Sequence, residues 1–131
     1  MIALIDADDQ HHAVLLEAFE QDPGAWVVPW AVLPEVDYLV LTHLGIDVEL
    51  AFVTDINEGT WRVEWGEAID VERARELCVQ YRSLKLGLVD AVVMAMAERL
   101  GAGAIATLDL RHFGAVPIAG KPRLLPRDSL P

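Results

Sequence analysis

Apolar residues recur with helical spacing along most of the chain, and short apolar runs separate the helical segments. The spacing of three and four residues predicts helices at about Val14–Phe19, Ala31–Leu44, Asp47–Ile56, Val71–Tyr81 and Val89–Leu100. The short runs predict strands at Met1–Ile5, Trp26–Pro29, Thr60–Trp65 and Ala104–Leu108, with an edge strand near Arg123–Leu125. Strands that alternate with helices are typical of a three-layer α/β/α sandwich with a central parallel sheet. We expect one such domain over residues 1–131.

Two aspartates lie at the ends of the most apolar part of the sequence. The helix Val89–Leu100 is apolar on nearly every face, and glycines follow it, so it is predicted to be deeply packed. Asp90 lies at its start, and Asp109 follows the next buried strand. A carboxylate beside a core costs free energy unless a cation or a hydrogen-bond donor compensates it. Asp90 and Asp109 are therefore the first candidates for a functional site.

The order of the elements predicts that further carboxylates join this pair. In right-handed β-α-β units, the end of each strand and the start of the next helix lie at the same edge of the sheet. Glu35 falls in the first turn of the helix after the second predicted strand, and Asp6 ends the first predicted strand. We therefore expect Asp6, Glu35, Asp90 and Asp109 to converge at the edge where open α/β sheets bind ligands.

Composition and charge restrict the class of protein. Hydrophobic residues make up 53% of the 131 residues, the single Cys78 excludes an internal disulfide, and no apolar run is long enough to span a bilayer. These features, with no basic N-terminal signal region, predict a cytoplasmic globular protein. The net charge of −11 opposes broad electrostatic binding of a polyanion. It is compatible with a solvated acidic surface, with a basic protein partner, or with a nucleic-acid site that depends on bound cations.

A cluster of carboxylates has a limited chemistry. Carboxylates close together repel each other, so either one is protonated or a cation lies between them. Oxygen ligands without accompanying cysteines favour Mg²⁺ or Mn²⁺, which assist hydrolysis of phosphodiesters. The alternative is that Asp90 and Asp109 only cap a helix and a turn, because aspartate is a good N-cap residue. Spacing alone does not separate these two interpretations.

Three segments of the chain resemble a known family. They are Val32–Val40, Gly87–Ala91 and Thr107–Phe113, and together they resemble the PIN domain, more narrowly the VapC toxins of bacterial toxin–antitoxin pairs. The resemblance covers nearly the whole chain. It implies a Mg²⁺-dependent endoribonuclease with RNA as substrate, a VapB-like antitoxin as partner and a homodimer. It assigns the family's second, third and fourth acidic residues to Glu35, Asp90 and Asp109.

The start of the chain departs from the family pattern. The stretch from Asp6 to His12 resembles an acidic turn that in the family comes after the first strand and helix. In that alignment the first strand and its catalytic aspartate would be absent. Alternatively, Met1–Ile5 is the strand and Asp6 takes the catalytic position, with Asp8 as the nearby substitute. Losing a central strand would leave backbone groups unpaired, so we favour Asp6.

Other residues and functions receive lower priority. The four histidines have no metal-ligand spacing. His112, beside Asp109, is a candidate for positioning RNA or water, but a surface or capping role is the favoured expectation. The basic residues Arg73, Arg75, Arg82 and Lys85 either guide RNA or merely solubilise the surface. A non-catalytic PIN-fold binding module, paired with an antitoxin or another PIN chain, is the alternative function. A phospho-receiver domain ranks behind both, because no acceptor aspartate ends a middle strand.

Overall fold

Helices form most of the computed structural model, which describes residues 1–129. The helices are α1 (Ile2–Ile5), α2 (His12–Gln21), α3 (Leu33–Leu44), α4 (Ile46–Glu58), α5 (Ala68–Gln80), α6 (Gly87–Leu100) and α7 (Leu110–Phe113). The strands are β1 (Val28–Pro29), β2 (Val63–Glu64), β3 (Ala104–Ala106) and β4 (Arg123–Leu125). Short 3₁₀ turns occupy Pro23–Ala25, Trp30–Val32 and Arg82–Leu84. None of the helices within the described range combines the length and apolarity that crossing a membrane requires.

The described chain separates into two compact units, of which the first is Met1–Trp65. Its core contains Val36 and Val40 of α3 and Phe52 of α4, all buried. Pro34 lies in the first turn of α3, where a missing N–H costs no helical hydrogen bond. Gly45, at φ 91°, ends this helix and allows the chain to turn directly into α4. Strands β1 and β2 pair in parallel within this unit.

The prediction of a strand at Met1–Ile5 is wrong, because this segment is helix α1. The Leu4 N–H donates to the Met1 carbonyl at 2.7 Å, and the Asp6 N–H donates to the Ile2 carbonyl at 2.8 Å. Local helical bonds thus satisfy the backbone, while apolar side chains of α1 pack against the core of the first unit. A five-residue apolar run does not distinguish a short buried helix from a strand. Asp6 consequently follows a helix and does not end a strand.

The second unit begins at Gly66, and the packing of α5 against α6 dominates it. Leu77 and Met94 are almost fully buried in its core. Strands β3 and β4 pair in parallel, with Ile105 opposite Leu124, so the predicted edge strand at Arg123–Leu125 is confirmed. Within residues 1–129 the strands form two parallel sheets of two strands each, one sheet in each unit. Strands β1, β2 and β3 are each shorter than the strands that the sequence predicts at those places.

A buried ion pair joins α5 to α6. Asp70 is only 2% exposed, and its carboxylate accepts hydrogen bonds from Arg99 Nε at 2.7 Å and Arg99 Nη2 at 2.9 Å. Asp70 also accepts the Glu67 N–H at 2.8 Å, which completes a capping box at the start of α5. The hydrogen bonds from Arg99 hold the pKa of Asp70 below its usual range, against the opposing effect of burial. The pair therefore fixes the start of one helix to the end of the other.

We predict that Asp70→Asn lowers the free energy of unfolding by about 3 kcal/mol at neutral pH, because it removes the buried carboxylate that accepts two hydrogen bonds from the Arg99 guanidinium. The pKa of Asp70 is lowered in the folded chain, so its stabilisation is complete above the unfolded pKa near 4 and is lost as the pH falls through the folded pKa. Urea unfolding of both chains from pH 7 down to pH 2 measures this difference.

The matched control is Glu76→Gln, which removes the 55% exposed partner of Arg73 on the same helix. It should change the stability by less than about 0.5 kcal/mol. An equal loss in both variants, or a loss for Asp70→Asn that does not shrink on acidification, would contradict the role of the buried pair.

Candidate metal site

Asp90 lies in the first turn of α6, which begins two residues earlier than the sequence predicted. No side chain caps this helix, so the capping interpretation is wrong for Asp90. Its Oδ2 instead accepts a hydrogen bond from His112 Nδ1 at 2.6 Å. The Asp90 side chain is 24% exposed, while the core face of the same helix buries Ala91 and Met94 completely. The burial of α6 therefore holds Asp90 at a partly exposed position.

Asp109 is the N-cap of α7, which begins four residues after β3 ends. Its Oδ1 accepts the backbone N–H groups of Arg111 at 3.0 Å and His112 at 3.2 Å, so capping is confirmed for this aspartate. Its own N–H donates to Thr107 Oγ1 at 3.1 Å. The second oxygen, Oδ2, lies 3.3 Å from His112 Nδ1. Capping therefore fixes Oδ1 of Asp109 and leaves Oδ2 near His112, which also contacts Asp90.

His112 lies between the two carboxylates, so the expected surface or capping role for it is wrong. Its side chain is 12% exposed, and its Nε2 bonds the Leu84 carbonyl at 3.0 Å. A carbonyl and a carboxylate are both acceptors, so both ring nitrogens act as donors in this arrangement. The hydrogen bond to Asp90 raises the pKa of the imidazole, with a further contribution from the charge of Asp109. His112 therefore belongs to the same cluster of side chains as Asp90 and Asp109.

The donor set fits a divalent cation that prefers oxygen. Asp90, Asp109 and His112 each offer one ligand atom, and these atoms lie within 4.8 Å of one another. Nε2 of His112 contacts the Leu84 carbonyl and Nδ1 contacts Asp90, while the two carboxylates supply the oxygen atoms of the cluster. Carboxylate oxygens without cysteine are the ligands preferred by Mg²⁺ and Mn²⁺. The structure confirms that α6 and the segment after β3 bring Asp90 and Asp109 together.

The other two predicted ligands belong to the first unit. Glu35 is exposed in the first turn of α3, as the sequence predicted. Asp6 is partly buried after α1, and its Oδ1 accepts the N–H of the exposed Asp8 at 3.1 Å. The expectation that Glu35 and Asp6 converge with the pair in the second unit stays a prediction.

The charge of the chain is distributed very unevenly. Residues 1–65 contain one basic and 13 acidic residues, a net charge of −12, whereas residues 66–131 contain nine basic and eight acidic residues, a net charge of +1. The unit that carries Asp90 and Asp109 therefore lacks the negative charge that opposes RNA binding. Arg82 and Lys85 are exposed on either side of Leu84, whose carbonyl contacts His112. By contrast, Arg73 is held by Glu98 and Glu76.

Comparison with known proteins identifies the family of this chain. The family model described as PIN domain matches residues 1–118, a range that includes all four predicted ligands. The chain is also similar to Ribonuclease VapC26 of Mycobacterium tuberculosis (strain ATCC 25618 / H37Rv), with 36% identity over 121 residues. This similarity covers 92% of the chain and 90% of the relative. The two matches confirm the resemblance and the fold class that the sequence predicted.

Proposed function

The chain belongs to the PIN-domain family, within its VapC-type members, and on that basis we propose that it is a metal-dependent endoribonuclease that acts as a toxin. The observation that carries this proposal is the Asp90–Asp109 pair, which lies within the matched range and presents carboxylate oxygens close together. The name of the Mycobacterium relative supports RNA as the substrate class.

We propose Asp90, Asp109, Glu35 and Asp6 as the residues that hold Mg²⁺ or Mn²⁺. When bound, such a cation neutralises phosphate charge and makes water a better nucleophile. The contribution of the chain is to hold the oxygens in place: the cap of α7 fixes Asp109, and the buried face of α6 fixes the backbone of Asp90. The partial exposure of both carboxylates, 24% and 45%, leaves access for a phosphodiester.

We also propose a VapB-like antitoxin and a second copy of the chain as partners, in the cytoplasm. Family membership supports these partners, and the first unit offers features that suit a protein ligand. Its net charge of −12 favours a basic partner. Large apolar side chains on α3 and α4 are exposed, namely Tyr38, Leu41, Ile46, Leu50 and Val53.

We predict that Asp90→Asn lowers the rate of Mn²⁺- or Mg²⁺-dependent RNA cleavage by at least about 100-fold, because it removes a charged ligand from the site. Folding should be retained, since the asparagine oxygen still accepts the hydrogen bond from His112. The measurement is cleavage of a structured RNA by the purified chain with each cation and with EDTA.

The matched control is Glu72→Gln, which removes one exposed acidic charge from α5 in the same unit and should leave cleavage unchanged. Full activity in Asp90→Asn would show that Asp90 is not a ligand. A folded wild-type chain that cuts no RNA with either cation would favour the non-catalytic binding module.

We predict that the double variant Arg82→Gln, Lys85→Gln weakens RNA binding. The negative slope of the logarithm of the association constant against the logarithm of the salt concentration should become shallower by about one to two, because each residue would neutralise one phosphate. Fluorescence anisotropy of a labelled RNA, measured on the uncleaving Asp90→Asn background at several salt concentrations, tests this. Lys121→Gln removes a positive charge from another loop and is the control. Equal slopes in all three chains would exclude phosphate contacts by the segment before α6.

A further inference from the structure

One imidazole joins three separate segments of the second unit. His112 belongs to α7, its Nδ1 donates to Asp90 of α6 at 2.6 Å, and its Nε2 donates to the carbonyl of Leu84 at 3.0 Å. Leu84 ends the 3₁₀ turn that begins at Arg82, and Lys85 follows it directly. The ring is 12% exposed, so these contacts are largely sheltered from water. The position of the ring is therefore defined from both of its edges.

The contacts of the ring favour a positioning role. The Leu84 carbonyl can only accept a hydrogen bond, so Nε2 is the donor of that contact, and it anchors one edge of the ring. At the other edge, Nδ1 lies 2.6 Å from Oδ2 of Asp90. The ring is thereby placed to set the direction of the Asp90 carboxylate.

The two aspartates are fixed by different means. The cap of α7 holds Oδ1 of Asp109 through two backbone N–H groups. Among the described residues, the side chain of Asp90 has one hydrogen-bond partner, His112, which holds Oδ2 and leaves Oδ1 open. Without this bond the Asp90 carboxylate would rotate about its side-chain torsions beside a second negative charge. Partners of this kind commonly change metal affinity by 10- to 100-fold, as a rough guide.

We propose that His112 is a positioning residue that orients the Asp90 carboxylate towards the cation, while the Leu84 carbonyl anchors the ring. This inference rests on the proposed metal-dependent function. It assigns to His112 a task that acts through Asp90, without direct contact to the metal.

Three substitutions at one position separate the hydrogen bonds from the charge. His112→Asn places an amide nitrogen where Nδ1 lies and retains a donor for Asp90. His112→Gln places its amide nitrogen near Nε2 and retains a donor for Leu84, whereas His112→Ala retains neither. All three replace the imidazole by an uncharged side chain, so a difference between the Asn and Gln variants reports which of the two hydrogen bonds matters. His43→Ala removes an exposed histidine that bonds only its own helix, through the Leu39 carbonyl, and is the control.

The experiment is titration of the metal-free chains with Mn²⁺ alone, without RNA, with free Mn²⁺ measured by electron paramagnetic resonance. We expect His112→Asn to bind Mn²⁺ at least about 10-fold more tightly than His112→Ala and His112→Gln, and His43→Ala to match the wild type. Equal affinities for the Asn and Ala variants would overturn the proposal. If these two variants bind Mn²⁺ with equal affinity and more weakly than wild type, the imidazole itself is a ligand. If both bind Mn²⁺ as tightly as wild type, the hydrogen bond has no role in metal binding.

Two further comparisons keep the outcomes distinct. Thermal unfolding of each metal-free chain shows whether it folds, and if His112→Ala does not fold, the Asn–Gln comparison carries the test. A wild-type chain that binds no Mn²⁺ would overturn the proposed metal-dependent function itself, and an Asp90→Asn chain that binds Mn²⁺ as tightly as wild type would show that Asp90 is not a ligand. The positioning role alone would be overturned by a different pair of results. In that case Asp90→Asn loses the Mn²⁺ binding seen in the wild type, but His112→Asn and His112→Gln bind Mn²⁺ with equal affinity.

Discussion

The hydrogen bond between His112 and Asp90 is the interaction on which the candidate site depends. Two carboxylates this close repel each other, and Nδ1 of His112 lies against both of them, 2.6 Å from Oδ2 of Asp90 and 3.3 Å from Oδ2 of Asp109. The same ring reaches back to the Leu84 carbonyl, so the site includes the turn before α6 as well as α6 and α7.

At Asp109 an observed structural role is compatible with the proposed role in metal binding. The sequence left capping and metal binding as alternatives, but one carboxylate has two oxygens, and the helix cap uses only Oδ1.

Charge is distributed unevenly between the two units of the chain. The net charge of −12 in residues 1–65 accounts for the acidity of the protein, while the unit with Asp90 and Asp109 has a net charge of +1. Overall charge therefore gave a misleading view of whether this unit suits a polyanion.

Features set by local spacing could be predicted from the sequence, and those set by distant contacts could not. The long helices, the place of Glu35 in the first turn of α3 and the strand β4 follow from periodicity and turn residues. Met1–Ile5 was predicted wrongly because five apolar residues suit either a strand or a helix. The role of His112 depends on Leu84 and Asp90, which are 28 and 22 residues away, and no spacing rule links them.

The most direct test of the account is the location of Mn²⁺ by anomalous diffraction from crystals of the chain grown with the ion. The account predicts an anomalous peak about 2 Å from carboxylate oxygens of both Asp90 and Asp109, with the ring of His112 still bonded to Asp90. Strong Mn²⁺ peaks elsewhere with none at this pair, or a peak coordinated by a nitrogen of His112, would contradict it.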